Sequence, residues 1–328
     1  MKIGNTDFWD LQNCSIVKCN HCNNIQLDPM LTQQSTTVGC YAYHLNEMSR
    51  VSITSQKRNL IRNFRRGVLF ASQLKKSGHQ PKEILEYGPG SGYFLSGIQF
   101  IFPEAKITVV DIVEDVLNKN KEVHGYEGIK GVPEEVNSIG QGKKFDLIIA
   151  RDILEHVGDV SKMIKNIHSL LNDNGLFHFI TPNGHEDVWG HYLQWKFRKK
   201  PSELLINHVN YFDGAGLQNL LMSNGLQPIK YYTYQLKWTF RGKGWSNKQE
   251  RFQNESQKIS AQNEVNQKEN LVDEVKFDKH EILNVWYIKP KLKWLTVFVS
   301  WYHHCETLKL APQHNVGHES YGVFIKAQ

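Results

Sequence analysis

An α/β fold built on a doubly wound, mostly parallel sheet is predicted by three observations. Short apolar runs of strand length alternate with segments of helical period from residue 83 onward. A glycine-rich turn joins the first of these runs to the helix that follows. An acidic residue ends the second run. The 328 residues, 40% of them hydrophobic, suffice for one sizeable core of this kind plus an additional segment.

The elements follow in order. Leu60, Ile61, Phe64, Val68, Leu69 and Leu74 recur at helical spacing between Lys57 and Lys76, and Gly78 stops the pattern. Strands are predicted at 83–87, 107–111, 145–150 and 176–181, with a weaker one near 128–132. The segments 92–102, 114–121 and 159–171 carry the helical pattern between them. After Asp213 a helix to about Ser223 leads into a strand at 227–235, and a last strand at 321–326, expected to be antiparallel, completes the sheet.

The expected division is an irregular, cysteine-containing N-terminal segment at 1–56, a core at 57–236, an insertion at 237–317 and the final core strand at 318–328. Within the insertion, 246–278 is rich in Gln, Asn, Glu, Lys and Ser without Gly or Pro, which suits an exposed helix or a disordered excursion. The apolar piece beyond it, including Ile282, Trp286 and Leu295, is expected to cap the site or form a subunit contact.

The chemistry concentrates in Ile84-Leu85-Glu86-Tyr87-Gly88-Pro89-Gly90-Ser91-Gly92. Glycines at such a turn let the backbone approach a ligand while amides stay free at the helix start. A dinucleotide fingerprint requires a glycine where this chain has Tyr93, so the spacing favours a cofactor without a pyrophosphate. Asp111 ends the next strand in Val109-Val110-Asp111, where a carboxylate accepts hydrogen bonds from both hydroxyls of a ribose.

Together with Phe145-Asp146-Leu147-Ile148-Ile149-Ala150-Arg151-Asp152-Ile153-Leu154-Glu155-His156-Val157 and the run from Asn174-Gly175-Leu176 to Thr181-Pro182-Asn183, these segments resemble the class I S-adenosylmethionine-dependent methyltransferases. The chain is similar to the ubiquinone-biosynthesis, sugar and secondary-metabolite enzymes of that class. The resemblance implies a Rossmann-like fold, S-adenosylmethionine as cofactor and a small-molecule methyl acceptor taking the group on oxygen or carbon. It places Gly88 and Gly90 under the methionine part of the cofactor, with Glu86 organising that end and Gly92 among the cofactor-binding residues. It gives Asp111 the ribose and Ile112 a flank of the adenine. Glu134 would lie near the adenine, although Val132 departs from the family's commonest pattern there. Arg151 and Asp152 would close the pocket, and His156 would pack at the start of a helix. A base, where one is needed, would come from the loops after the strands, and His185 and His208 are the candidates.

Two other readings use the same fold: an RNA acceptor, or a binding module without catalysis. The net charge of +6 leans towards RNA, but Lys and Arg are scattered, with small clusters only at 62–66 and 196–200, rather than gathered on one face. The intact glycine turn with Asp111 argues against a module with a dead site.

The N-terminus lacks the basic-then-apolar pattern of a signal segment, and the longest apolar run, 294–302, falls well short of the ~20 residues a membrane-spanning helix needs. Five cysteines in a chain of this length make no disulfide framework, so a reducing cytoplasm is expected. Cys19-Asn20-His21-Cys22 resembles the second half of a zinc-binding element found ahead of the catalytic domain in some sugar methyltransferases. Cys19 and Cys22 would be the ligands, but the first knuckle is missing, which favours a metal-free relic.

Overall fold

In the computed structural model the described residues are 2–5, 15–20, 24–28, 53–135, 142–184, 208–234, 309 and 319–327. They build two sheets. The larger takes strands β4 (Glu83–Tyr87), β5 (Lys106–Asp111), β6 (Glu127–Lys130), β7 (Phe145–Arg151), β8 (Leu171–Pro182), β10 (Leu226–Tyr234) and β11 (Glu319–Lys326) in the order β10-β11-β8-β7-β4-β5-β6. The pairs β4–β5, β4–β7, β5–β6 and β7–β8 are parallel. The last strand in the chain, β11, slides between β8 and β10 and runs antiparallel to both. This is the predicted doubly wound α/β sheet with its antiparallel closing strand.

Alternation along the parallel strands builds a core on each face, because successive side chains point to opposite sides. Leu85, Tyr87, Ile148 and Phe177 pack with Met163, Ile164 and Ile167 of α4 (Val160–Leu170) and with Leu217 and Leu221 of α5 (Gly214–Ser223). Ile84, Val109, Leu147 and Ile149 pack on the other face with Phe70, Ala71 and Leu74 of α1 (Ile53–Lys76) and Phe94, Leu95 and Ile98 of α2 (Tyr93–Ile101). The remaining helix, α3 (Glu114–His124), ends at Gly125 in the left-handed conformation, φ 74°. Asp159 and Asp213 cap α4 and α5 by accepting the N–H groups of Lys162 and Gly216, each at 2.9 Å. At the amino end of the sheet, Asp146 accepts the N–H groups of Lys82 and Glu83 and the side-chain amide of Asn172, fastening β4, β7 and β8 together.

The smaller sheet draws three short strands from the described residues of the N-terminal segment. β1 (Lys2–Asn5), β2 (Ser15–Lys18) and β3 (Ile25–Asp28) form an antiparallel ribbon, and β3 pairs with β9 (Asn210–Tyr211), so the sheet order is β1-β2-β3-β9. Asn24 extends the junction by accepting the Asp213 N–H at 2.9 Å. The weak third strand of the core is Glu127–Lys130, slightly ahead of its predicted place. Nearly all of the insertion at 237–317, with both readings of its polar half, lies outside the described residues. Among the described residues no helix is long and apolar enough to cross a membrane.

Candidate active site

Because β4, β5 and β7 are parallel and in register, their carboxyl ends share one edge: Tyr87 lies beside Val110 on one side and Ala150 on the other. Each strand therefore delivers its terminal polar residue to the same place, the crevice where open α/β sheets bind ligands.

Glu86 is 1% exposed, and its Oε2 has no hydrogen-bond partner among the described residues. Burial pushes its carboxyl up to about 8, against the pull of the Arg151 guanidinium. Arg151 likewise has a buried Nε without a partner, and its guanidinium carbon sits 4.0 Å from the centre of the Phe94 ring. A buried acceptor and a buried donor left open in one crevice are the mark of a site awaiting a polar ligand.

The glycine turn provides the approach. Gly88 has φ +60°, and a Cβ there would strike the Ile153 side chain at 2.3 Å. Gly90 has φ +54°, and nothing lies within 4 Å of where its Cβ would be, so its backbone faces open space. Gly92 leads into α2 as its N-cap, φ 74°. From behind, α3 braces the turn: the Asn120 side-chain amide donates to the Gly90 carbonyl at 2.9 Å, and the His124 ring nitrogen Nε2 meets the Ser91 carbonyl at 2.9 Å. Asn120 is 1% exposed, and burial lowers the His124 pKa. Sequence reasoning missed this pair; a polar Asn and His on a helix resemble a solvated face until packing buries them.

Asp111 is half-buried at the tip of β5, and its Oδ1 accepts the Val113 N–H at 2.8 Å, which fixes the carboxylate at the crevice. Ile112 beside it is also half-buried. Glu134 is brought to the same region, 9% exposed, with Oε1 accepting the Gly158 N–H at 3.0 Å. That bond ties the segment after β6 to the turn after β7. Asp152 has φ 56°, a left-handed conformation costly for a non-glycine residue, and its N–H donates to the Ile180 carbonyl at 2.8 Å. Solvent reaches its side chain, yet the protein around it pushes its carboxyl up; Glu319 adds to this, while Arg151, Arg66 and His208 oppose it.

Past β7, the helical turn Leu154–His156 places a second polar group. Glu155 is 1% exposed, and its Oε2 accepts the Thr181 hydroxyl at 2.9 Å. Burial and Asp152 raise its carboxyl pKa, and His208 lowers it. His208 reaches this spot because its segment is stitched to the turn. The Val209 N–H donates to the Glu155 carbonyl at 2.9 Å, and the Asn210 side-chain amide donates to the Val157 carbonyl at 2.6 Å. The rings of His156 and His208 stand edge to face, 5.0 Å apart. Of the two base candidates, His208 thus lies among Asp152, Glu155 and His156, while His185 lies outside the described residues. Glu155 was not singled out from sequence, where it reads as an exposed helix-start acid.

Cys19 stands at the end of the ribbon, its N–H donating to the Asn24 carbonyl at 2.8 Å across the β2–β3 turn; Cys22 lies outside the described residues.

Comparison with known proteins agrees with this geometry. The family described as a methyltransferase domain matches residues 56–231, more than half of the chain. Malonyl-[acyl-carrier protein] O-methyltransferase from Bacillus anthracis is 24% identical over 126 residues, covering 38% of this chain and 47% of that protein. Malonyl-[acyl-carrier protein] O-methyltransferase 1 from Ilyobacter polytropus is 31% identical over 99 residues, covering 30% of this chain and 37% of that protein. The chain thus spans less than half the length of these curated relatives. Among solved structures, the plantazolicin methyltransferase BamL, in complex with a triazolic desmethylPZN analog and SAH, superposes with a TM-score of 0.51 at 13% identity, over 90% of this chain and 97% of that one. At that identity the likeness speaks for the fold alone. With more than half its length matched by the family and the sheet order and glycine turn in place, the chain belongs to the methyltransferase-domain family, the class I S-adenosylmethionine-dependent methyltransferases.

Proposed function

We propose that the chain transfers the methyl group of S-adenosylmethionine to an oxygen of a small acceptor. The observation that carries this reading is the shared edge on which Glu86, the glycine turn, Asp111 and Arg151 converge, with two buried polar atoms left open there. Glu86 would receive the ammonium of the methionine part, and Gly88, Gly90 and Gly92 would let that part pass over the turn. Asp111 would hold the ribose hydroxyls. Ile112 and Glu134 would border the adenine, with Arg151 and Asp152 closing the pocket. The sulfonium already activates the methyl group, so the protein's task is to align the acceptor and exclude water.

On the acceptor side stands His208, beside Asp152 and Glu155, and it is this group that would act on the acceptor's oxygen. The curated relatives are named as O-methyltransferases, which supports oxygen as the acceptor atom.

Calorimetric titration with S-adenosylhomocysteine tests the cofactor half of the proposal. Binding in the micromolar range is expected for the wild type and none for NAD. Asp111→Ala, which removes a charged acceptor of hydroxyl hydrogen bonds, should weaken binding by about 10- to 100-fold. A folded wild type that binds no S-adenosylhomocysteine would turn the reading towards a non-catalytic module.

A further inference from the structure

We infer that Glu155, His156 and His208 form a site for a divalent transition-metal ion that holds the acceptor oxygen. The inference rests on the methyl-transfer reading and deepens it by stating how His208 serves the acceptor.

One ligand atom from each of Glu155, His156 and His208 lies within 4.8 Å of the other two, the only such grouping of three His, Cys, Asp or Glu side chains among the described residues. Glu155 Oε1 and His156 Nε2 are 3.9 Å apart. Around an ion with bonds of ~2.1 Å, neighbouring donors stand roughly 3.0–3.4 Å apart, so side-chain rotations of about an ångström close the shell. Two imidazoles and one carboxylate are a donor set suited to manganese, cobalt, iron or zinc in their divalent states.

The surroundings are those of a built centre rather than a chance meeting. Glu155 is held from behind by the Thr181 hydroxyl, which fixes one carboxylate oxygen and leaves the other towards the imidazoles. The two segments that supply the ligands are cross-tied by the Val209 N–H on the Glu155 carbonyl and by the Asn210 amide on the Leu154 and Val157 carbonyls. A carboxylate 1% exposed that accepts a neutral hydroxyl gains much from a full positive charge beside it. The His156 side chain is 25% exposed against 2% for Glu155, so the grouping opens towards solvent on its imidazole side. Three protein ligands leave positions for an acceptor oxygen.

The chemistry balances without a redox partner. An acceptor hydroxyl held on the cation loses its proton to solvent more readily than in water. Its oxygen lone pair forms the bond to the methyl carbon as the carbon–sulfur bond breaks. That electron pair stays on sulfur, leaving a methyl ether, S-adenosylhomocysteine and one released proton. His208 then acts through the ion and needs no free nitrogen to serve as base.

The test is Mn²⁺ titration of the full chain after chelator treatment, followed by electron paramagnetic resonance, with S-adenosylhomocysteine binding measured on the same samples. Mn²⁺ is the probe because it prefers oxygen and nitrogen donors, so the N-terminal thiols compete poorly for it. One bound Mn²⁺ per chain is expected, weakened at least about tenfold in His208→Asn and in His156→Asn, with S-adenosylhomocysteine affinity unchanged. Both histidines are partly exposed, so these variants carry the test even where Glu155→Gln fails to fold. Absence of bound Mn²⁺ up to ~1 mM, or binding indifferent to both substitutions, would overturn the site while leaving the cofactor reading intact. Mn²⁺ binding of the expected pattern without S-adenosylhomocysteine binding would sink the methyltransferase reading and keep the metal site.

Discussion

At the scale of single residues, Glu86 concentrates most of the physics of the cofactor site. Its carboxyl, ordinarily at 4.5, is pushed to about 8 by burial, with Arg151 opposing. Between those values the unfolded chain has lost a proton that the folded chain keeps. The contribution to stability is therefore fully present below pH 4.5 and is lost as pH rises through about 8. Glu86→Gln lacks this dependence. In urea unfolding its stability relative to wild type should climb by a few kcal/mol, in order of magnitude, from acidic to mildly alkaline pH. A difference that stays flat with pH would show that Glu86 is ionised in the free protein. The same residue predicts a linked effect on binding. A ligand ammonium beside Glu86 favours the carboxylate, so S-adenosylhomocysteine should release close to one proton at neutral pH. Calorimetry in buffers of different ionisation enthalpy reads this directly, and the release should vanish in Glu86→Gln.

At the scale of elements, α1 and α2 cross with their backbones in contact. A Cβ on Gly67 would lie 2.0 Å from the Phe94 carbonyl oxygen, and one on Gly97 would lie 2.1 Å from the Phe64 carbonyl oxygen. Gly67→Ala therefore forces the helices apart at a cost of ~1–3 kcal/mol, partly offset by the ~0.5–1 kcal/mol an alanine gains in a helix. A net loss of about 1–2 kcal/mol is expected, seen as a lower urea midpoint at unchanged slope. Leu69→Ala, on the same helix but 61% exposed, should stay within about 0.5 kcal/mol of wild type. Equal effects for the two would mean the crossing relaxes freely.

Elements of this kind were legible in the sequence because their period repeats over enough residues to stand out. The helical spacing from Leu60 to Leu74 and the apolar runs of β4, β5, β7 and β8 each carry several agreeing positions. The ribbon was not legible, since β1, β2 and β3 have only four residues each, half of them polar, and their partner β9 has two. Their stability comes from pairing across some 185 residues, which no local window contains. The site divides in the same way. Glu86 and Asp111 sit at strand ends that the pattern marks, whereas Glu155 meets His208 and Thr181 only after folding.

At the scale of the whole molecule, the described residues of the ribbon and the large sheet meet at a seam around β9. β3 pairs with β9, Asn24 accepts the Asp213 N–H, and the residues just ahead of β9 are bound to the turn that carries Glu155 and His156. Among the described residues the ribbon is joined through the two-residue strand β9, while the large sheet has seven strands and a core on both faces. The ribbon should therefore open as a separate, weaker unit. Ile25, 5% exposed and opposite Tyr211, is the residue that links burial to pairing across the seam. In Ile25→Ser, hydrogen exchange at Val209, Tyr211 and Asp213 should quicken at least about tenfold, with Leu85 and Ile148 unchanged. The acceptor-side cluster would loosen in step, so turnover should fall while S-adenosylhomocysteine affinity holds. Uniform acceleration across both sheets would instead mean that ribbon and core unfold as one unit, and that the N-terminal strands belong to the fold's main cooperative transition rather than to the positioning of His208.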